Sequence, residues 1–130
     1  MAEEGADFTL TFRRLSDAHG AAADNDDDLR ALFRDPASFD AWAQQWRQRL
    51  AQERRSDADR KAAMRATNPA FVLRKHHVYR AYDDILAGDH TTLEALLTVL
   101  GDPFSDHPEH ADLAQPPAQN EIVRNTFCGT

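Results

Sequence analysis

The residue of this chain best suited to chemistry is a lone cysteine. Cys128 is the only cysteine among 130 residues, and Gly129 and Thr130 follow it. An exposed thiol on a tail can reach a distant partner and exchange with it. A single cysteine forms no internal disulfide, which fits a reducing compartment. The residues alone leave an incidental surface cysteine as the alternative.

Histidines and carboxylates near the end of the sequence form a second group. His107 and His110 are surrounded by Asp106, Glu109 and Asp112. Zinc needs three or four ligands held in tetrahedral geometry, and a stretch interrupted by prolines offers little rigidity. We therefore predict a surface loop here. A small metal protein or a self-sufficient enzyme that uses the two histidines is the weakest alternative.

An acidic run earlier in the sequence has the spacing of a calcium loop. Asp24, Asp26 and Asp28 repeat at every second residue, as the first ligands of such a loop do. Leu29, however, occupies the position at which the loop needs glycine for its sharp turn. The pattern therefore predicts a solvated acidic loop and no calcium site.

Two pairs of ring-bearing side chains lie in segments with helical spacing. Adjacent residues point about 100 degrees apart on a helix, so we predict that one of His76 and His77 packs while the other is exposed. Trp42 and Trp46 are four residues apart on an apolar stripe. That stripe favours a place in the core over a platform on which bases stack.

Charge narrows the range of partners. Lys and Arg number 15 against 22 Asp and Glu, and the formal net charge of −7 disfavours a broad nucleic-acid face. Basic residues are nevertheless concentrated in the middle of the chain: Arg47, Arg49, Arg54, Arg55, Arg60, Lys61 and Arg65. They form either a docking face for a partner domain or a solvated helix surface. The acidic beginning lacks a signal region and no apolar run approaches the ~20 residues of a membrane span, so we expect a cytoplasmic protein.

The first half of the sequence predicts short amphipathic helices. Phe8, Phe12 and Leu15 have helical spacing and predict the first of them. Ser38 is predicted to cap the helix that carries both tryptophans. Ser56, with Asp59 three residues later, predicts a further helix start.

The second half predicts two longer helices. Asn68 is predicted to cap a helix that begins at Pro69 and continues to Ala87, with Gly88 in the left-handed turn that closes it. Thr91 and Glu94 form a capping-box pattern at the start of the next helix. The predicted buried face of that helix consists of Leu93, Leu96, Leu97 and Leu100.

These elements predict an all-α fold of about five or six helices with an irregular, proline-rich C-terminal arm and tail. We predict a helical domain over residues 1–100 and an extended arm with the cysteine-bearing tail over residues 101–130. The sequence has no glycine-rich phosphate loop, no Gly-x-Ser-x-Gly elbow and no His-Glu-x-x-His. No catalytic, cofactor-binding or metal-binding residue is therefore assigned.

One stretch resembles a known family. MRATNPAFVLR, residues 64–74, is similar to the C-terminal region of the selenoprotein O (SelO) family of protein adenylyltransferases, which have a protein-kinase-like fold. Ala70 stands where the family usually has lysine. The stretches ADFTLTFRRLSD, FDAWAQQWRQRLAQE and GDHTTLEALLTVLGDPFSDHPEHADLAQPPAQ resemble further family segments in the same order, so nearly the whole chain is covered.

The resemblance implies a role for the tail. Family members end in selenocysteine or cysteine followed by two small hydroxylated residues. Here Gly129 stands where the family has serine, and Thr130 follows it. Cys128 is thereby implied to be redox-active and able to pair with a cysteine in the kinase-like body. The resemblance also implies that full-length members use ATP and magnesium to move AMP onto Ser, Thr or Tyr hydroxyls of proteins.

The family's nucleotide-binding and metal-binding residues lie upstream of this region. Phosphoryl-transfer chemistry depends on such groups, so we expect no AMP transfer by this chain alone and assign it no cofactor. The leading hypothesis is a C-terminal helical segment with a structural and redox-regulatory role, completed by the missing kinase-like lobe. The alternative is a stand-alone helical module that binds a partner protein. Neither hypothesis includes nucleic acid or a membrane.

Overall fold

The computed structural model describes residues 5–21 and 26–122, and these residues are helical with no strand. Six α-helices are present: α1 (Phe8–Asp17), α2 (Asp27–Arg30), α3 (Pro36–Leu50), α4 (Asp57–Thr67), α5 (Lys75–Leu86) and α6 (Thr91–Gly101). Two 3₁₀ helices follow, at Pro108–Ala114 and Gln119–Glu121. The all-α prediction is confirmed.

The chain divides into two compact units, Met1–Pro69 and Ala70–Thr130, called unit 1 and unit 2 below. This division follows the packing of the chain. The predicted division into residues 1–100 and 101–130 follows helix content and proline content instead.

Carboxylates and a serine determine where the helices of unit 1 begin. Asp7 Oδ1 accepts the Leu10 amide at 2.9 Å and caps α1. Ser56 caps α4 as predicted, since its hydroxyl oxygen accepts the Asp59 amide at 3.1 Å. The predicted cap at Ser38 is wrong. Asp35 accepts the Ala37 amide at 3.0 Å, so α3 begins before Ser38 with proline at its first position.

The predicted helix start at Pro69 is also wrong. Residues 69–74 are not helical, and α5 begins only at Lys75. The amides of Ala70 and Phe71 both donate to the Pro103 carbonyl, at 2.8 and 3.2 Å. Both side chains are buried in the core of unit 2. These tertiary contacts override the local preference of proline for a first helical turn.

The turn between α5 and α6 confirms one prediction made from the sequence and contradicts another. Gly88 has φ +85°, the left-handed conformation predicted for the end of α5. The predicted capping box of Thr91 and Glu94 is not formed. Thr91 is the first residue of α6 and not its N-cap, and Asp89 Oδ1 accepts the Thr91 amide at 2.8 Å and the Thr91 hydroxyl at 2.6 Å. These hydrogen bonds lower the pKa of Asp89.

Unit 1 combines a small apolar core with buried arginines. Its buried cluster consists of Leu15, Ala18, Leu29, Phe39 and Ala43, with Phe12, Phe33, Trp46 and Met64 packed against it. The Arg60 side chain is only 5% exposed, and its guanidinium donates to the Ala18 carbonyl and to Asp57. It also lies 5.3 Å from the Trp46 ring centroid. Arg60 therefore joins α4 to the end of α1.

A second buried arginine completes the end of α4. Arg13 in α1 donates to the carbonyls of Arg65 and Asn68, at 3.3 and 3.1 Å. The last carbonyls of a helix have no partner within that helix, and the negative end of the helix dipole attracts a cation. Arg13 thus satisfies two groups that the helix itself leaves unpaired.

Unit 2 is built around α5, α6 and the first 3₁₀ helix. Its core consists of Ala70, Phe71, Ala81, Leu96, Val99 and Leu113. The C-terminal arm is therefore not merely extended, since residues 108–114 form a 3₁₀ helix that places Leu113 in this core. The predicted buried face of α6 holds at Leu96 but is wrong at Leu97, which is 64% exposed.

We expect Arg60→Ala to destabilise unit 1 by about 2 kcal/mol or more, because the Ala18 carbonyl and Asp57 lose a buried charged partner. Arg54 is exposed, so Arg54→Ala is the matched control and should change stability by less than about 0.5 kcal/mol. Urea unfolding followed by tryptophan fluorescence measures both. Equal stability of the two variants would contradict this account of unit 1.

We expect Phe71→Ala to destabilise unit 2 by about 3 kcal/mol, the usual cost of removing a buried phenylalanine. Phe71 is 4% exposed, whereas Phe104 is 45% exposed in the same unit. Phe104→Ala should therefore have a much smaller effect on thermal unfolding measured by circular dichroism. Comparable losses for the two variants would show that Phe71 does not anchor the core.

Candidate functional site

The prediction that the tryptophans of α3 lie in the core is wrong for Trp42 and holds in part for Trp46. Trp42 is 43% exposed, and Trp46 is half-buried at the edge of the unit 1 core. Their rings are stacked, with centroids 6.0 Å apart and planes 12° from parallel. The buried positions on α3 are taken by Phe39 and Ala43 instead, because the apolar stripe is wider than the face that unit 1 can cover.

The basic residues in the middle of the chain are used largely for internal contacts. Arg47 pairs with Asp26 at 2.6 Å and donates to the His19 carbonyl. Arg65 pairs with Asp17, also within unit 1, at 2.7 Å. Asp26 is buried, so the prediction of a solvated acidic loop is wrong at this residue. The basic side chains that remain exposed are Arg49, Arg54 and Arg55.

A cleft of unit 1 gathers charged groups around Asp57. Its carboxylate accepts the Gly20 amide at 3.3 Å and lies 2.9 Å from the Arg60 guanidinium. His19 approaches it at 3.7 Å. Slight burial raises the pKa of Asp57, but the hydrogen bond and charge of Arg60 outweigh it, and the pKa is lowered overall. A carboxylate held ionised in this way is suited to fixing the cleft and unsuited to accepting a proton from a substrate.

The histidine pair of α5 is a site in unit 2 where both side chains have a lowered pKa. His77 is 3% exposed and His76 is half-buried. The sequence correctly predicted that one of them packs, but the prediction that the other is exposed is wrong, because His76 is partly buried. Their rings do not diverge, however, since the centroids are 3.8 Å apart. Neither ring nitrogen of His77 makes a hydrogen bond of good geometry within the described residues.

Burial and neighbouring charge favour the neutral form of His77. Burial is the main cause of its lowered pKa, and the adjacent His76 and Arg80 lower the pKa further. The Leu113 backbone and Asp112 act in the opposite direction, but their effect is smaller. The pKa of His76 is lowered as well, first by burial. The sequence could show that two histidines are adjacent, but not how deeply one of them is buried.

His107 of the C-terminal arm serves the fold. The His107 ring contacts the Asp102 carbonyl at 3.2 Å and meets the Phe71 ring edge-on at 5.5 Å between centroids. Glu109 lies 3.4 Å from the His107 ring. Among residues 5–21 and 26–122, no group of three or more His, Cys, Asp or Glu side chains is arranged to hold a metal ion.

Four of the residues singled out in the sequence lie outside the described residues. These are Asp24 of the acidic run, Cys128, the redox residue implied by the family resemblance, and the two residues after it, Gly129 and Thr130. The described helices include none long and apolar enough to cross a membrane.

Comparison with known proteins gives the family. No protein-family model matches the chain. The chain is 50% identical over 131 residues to the protein nucleotidyltransferase YdiU of Bradyrhizobium diazoefficiens and 48% identical over 132 residues to that of Nitrobacter winogradskyi. It is 47% identical over 130 residues to that of Ruegeria pomeroyi. All of the chain is covered in each case, and it spans about a quarter of the relatives' length (26%, 26% and 25%).

The relatives define a class, the protein nucleotidyltransferases. Within that class the chain belongs to the SelO family and matches its C-terminal region, which confirms the resemblance found in residues 64–74. The described clefts hold no catalytic constellation, so the family relationship and not a local site carries the functional conclusion.

The buried histidine predicts a specific dependence of stability on pH. Because the folded-state pKa of His77 lies below the reference value of 6.5, the unfolded chain binds more protons between the two values. His77 should therefore not reduce the free energy of unfolding above about pH 6.5. As the pH is lowered from 6.5 towards the folded-state pKa of His77, the free energy of unfolding should fall.

The measurement is thermal unfolding by circular dichroism between about pH 5 and 8. We expect His77→Phe to flatten the pH dependence, because the group that must lose its proton on folding is gone. His90 is exposed, so His90→Asn is the control and should retain the wild-type slope. The same slope in wild type and His77→Phe would contradict the assignment.

Proposed function

We propose that this chain is the C-terminal helical segment of a SelO-like protein adenylyltransferase. The observation that carries the proposal is the alignment of the whole chain with protein nucleotidyltransferases at about half identity. The proposed activity of the complete enzyme is transfer of AMP from ATP, with magnesium, onto Ser, Thr or Tyr hydroxyls of proteins. A cytoplasmic location belongs to the same proposal, and nucleic acid and membranes are not among the proposed partners.

The proposed contribution of this segment is structural and regulatory. Its described carboxylates and arginines stabilise helix ends and clefts, as Asp57, Arg60 and Arg13 do. AMP transfer needs groups that hold ATP phosphates and metal ions, and the family places them upstream of this region. The segment would complete the kinase-like body by packing and would supply the tail that carries Cys128.

The proposed regulation is a thiol–disulfide exchange at Cys128. Its thiolate would pair with a cysteine of the kinase-like body, and the two thiols would pass two electrons and two protons to a disulfide oxidant such as oxidised glutathione. The family resemblance of residues 128–130 supports this step. The disulfide would tie the tail to the body and change the access of substrates to the active site.

A chimera tests the enzymatic role. We expect the Bradyrhizobium diazoefficiens relative to lose AMP transfer when its matching quarter is deleted, and to regain it when this chain is attached there. This chain alone should transfer none. Incorporation of labelled AMP from ATP into protein is the readout, and the intact relative is the positive control. Failure of a folded chimera to transfer AMP would overturn the proposed function.

The redox role is tested in the same chimera. We expect oxidised glutathione to change the rate of AMP transfer severalfold in the chimera and to have no effect after Cys128→Ser. Dithiothreitol should restore the original rate of AMP transfer in the chimera that retains Cys128, because it reduces the disulfide. Deletion of residues 128–130 should match Cys128→Ser. An unaltered oxidant response in either variant would remove Cys128 from the proposal.

A second candidate function is a stand-alone helical module that binds a partner protein. The observation in its favour is that each unit has its own buried apolar cluster. A thermal melt of the purified chain with and without magnesium and ATP bears on it. A cooperative transition that ATP leaves unchanged is expected of such a module, whereas an upward shift would show that the chain itself binds nucleotide.

A further inference from the structure

The exposed face of α5 is more apolar than its buried face. Val78, Tyr79, Tyr82, Ile85 and Leu86 are between 37% and 70% exposed. At about 100 degrees per residue they share an arc of roughly 120 degrees along the helix. We call these five residues the α5 apolar face.

The opposite side of α5 is the one that unit 2 buries. Ala81 belongs to the core, and His77 is buried beside it. Asp84, on the same side, accepts the Thr92 hydroxyl at 2.6 Å and so joins α5 to α6. A surface helix normally turns its apolar stripe inward and its polar residues to water. In α5 the small and polar residues face the unit, and the large apolar residues face outward.

We infer that the α5 apolar face is an interaction surface, and that its occupant is the part of the nucleotidyltransferase polypeptide outside this segment. The inference rests on the proposed function. Five large apolar side chains on one arc form a contiguous exposed patch of the kind that marks protein–protein contacts. Covering them removes apolar area from water, which is favourable in proportion to that area.

The length of the relatives argues for this occupant. The matched segment is 26% of the Bradyrhizobium diazoefficiens protein, so roughly three quarters of that polypeptide lies outside the segment. Lys75, which lies on the same arc, is the only charged residue on α5 within it, so the occupant should present an apolar surface. A second copy of this chain is the competing occupant, and the experiment below distinguishes the two.

The test compares one pair of substitutions in two settings. Tyr82→Lys with Leu86→Lys is made in this chain alone and in the chimera described above. Both residues are well exposed, at 60% and 70%, and lysine is a good helix former, so the isolated chain should melt within about 1 °C of wild type. In the chimera the two lysines would be buried against an apolar surface. Its melting temperature should fall by about 3 °C or more.

Matched variants control for added charge and for helix propensity. Gln45→Lys with Gln48→Lys adds the same charge to exposed positions of α3. The melting temperature of the chimera should then stay within about 1 °C of that of the unsubstituted chimera. Tyr82→Ala with Leu86→Ala removes the apolar groups without adding charge. It should lower the melting temperature of the chimera in the same direction as the lysine pair, but by less.

Three results would overturn the inference. The first is an equal change for the lysine pair in the chimera and in the isolated chain, which would mean that nothing in the body covers the face. The second is no change in either setting. The third is an isolated wild-type chain that light scattering shows to be a dimer and that the lysine pair converts to a monomer, which would assign the face to a second copy. An inactive chimera that still shows the predicted loss of stability would defeat the proposed function alone.

Discussion

The guanidinium of Arg60 is the contact on which unit 1 depends. It lies in a nearly dry position, donates to a carbonyl at the end of α1, pairs with Asp57 and lies against the Trp46 ring. A helical unit of about seventy residues with a core of two leucines, two alanines and one phenylalanine has little apolar area to bury. Buried arginines join helix ends through hydrogen bonds and fix the helices in positions that the apolar core alone would not fix. Arg13 acts in the same way at the end of α4.

The sequence predicted the all-α class correctly, but only some of the helix ends. Ser56 and Gly88 have the roles predicted for them, because a serine hydroxyl and a glycine backbone act on residues within a few positions. Two errors were local, because Asp35 and Asp89 take the capping roles predicted for Ser38 and Thr91. The other errors arose where distant residues decide the outcome. The start of α5 depends on the Pro103 carbonyl, and the exposure of Leu97 and Trp42 depends on which faces the units cover. Spacing along the chain contains none of that information.

The candidate sites show the same difference between what local sequence predicts and what contacts between distant residues decide. The sequence correctly identified one packed histidine on α5, but only the structure shows that His77 is almost completely buried and its ring lies against that of His76. Asp57 was not among the residues singled out from the sequence, because its partners Gly20 and His19 come from another part of unit 1. The family could be recognised from the order of short stretches such as residues 64–74, since that order reflects ancestry and needs no knowledge of contacts.

The two amides that converge on the Pro103 carbonyl affect the order in which unit 2 can form during translation. Ala70 and Phe71 leave the ribosome before their acceptor, which follows about thirty residues later. At roughly 5–20 residues per second that delay lasts a few seconds, far longer than a helix needs to form. Over that interval α5 can be helical while the segment before it has no fixed position. Synthesis of this region therefore passes through a stage in which the side of α5 that Leu96 and Leu113 later cover is open to chaperones.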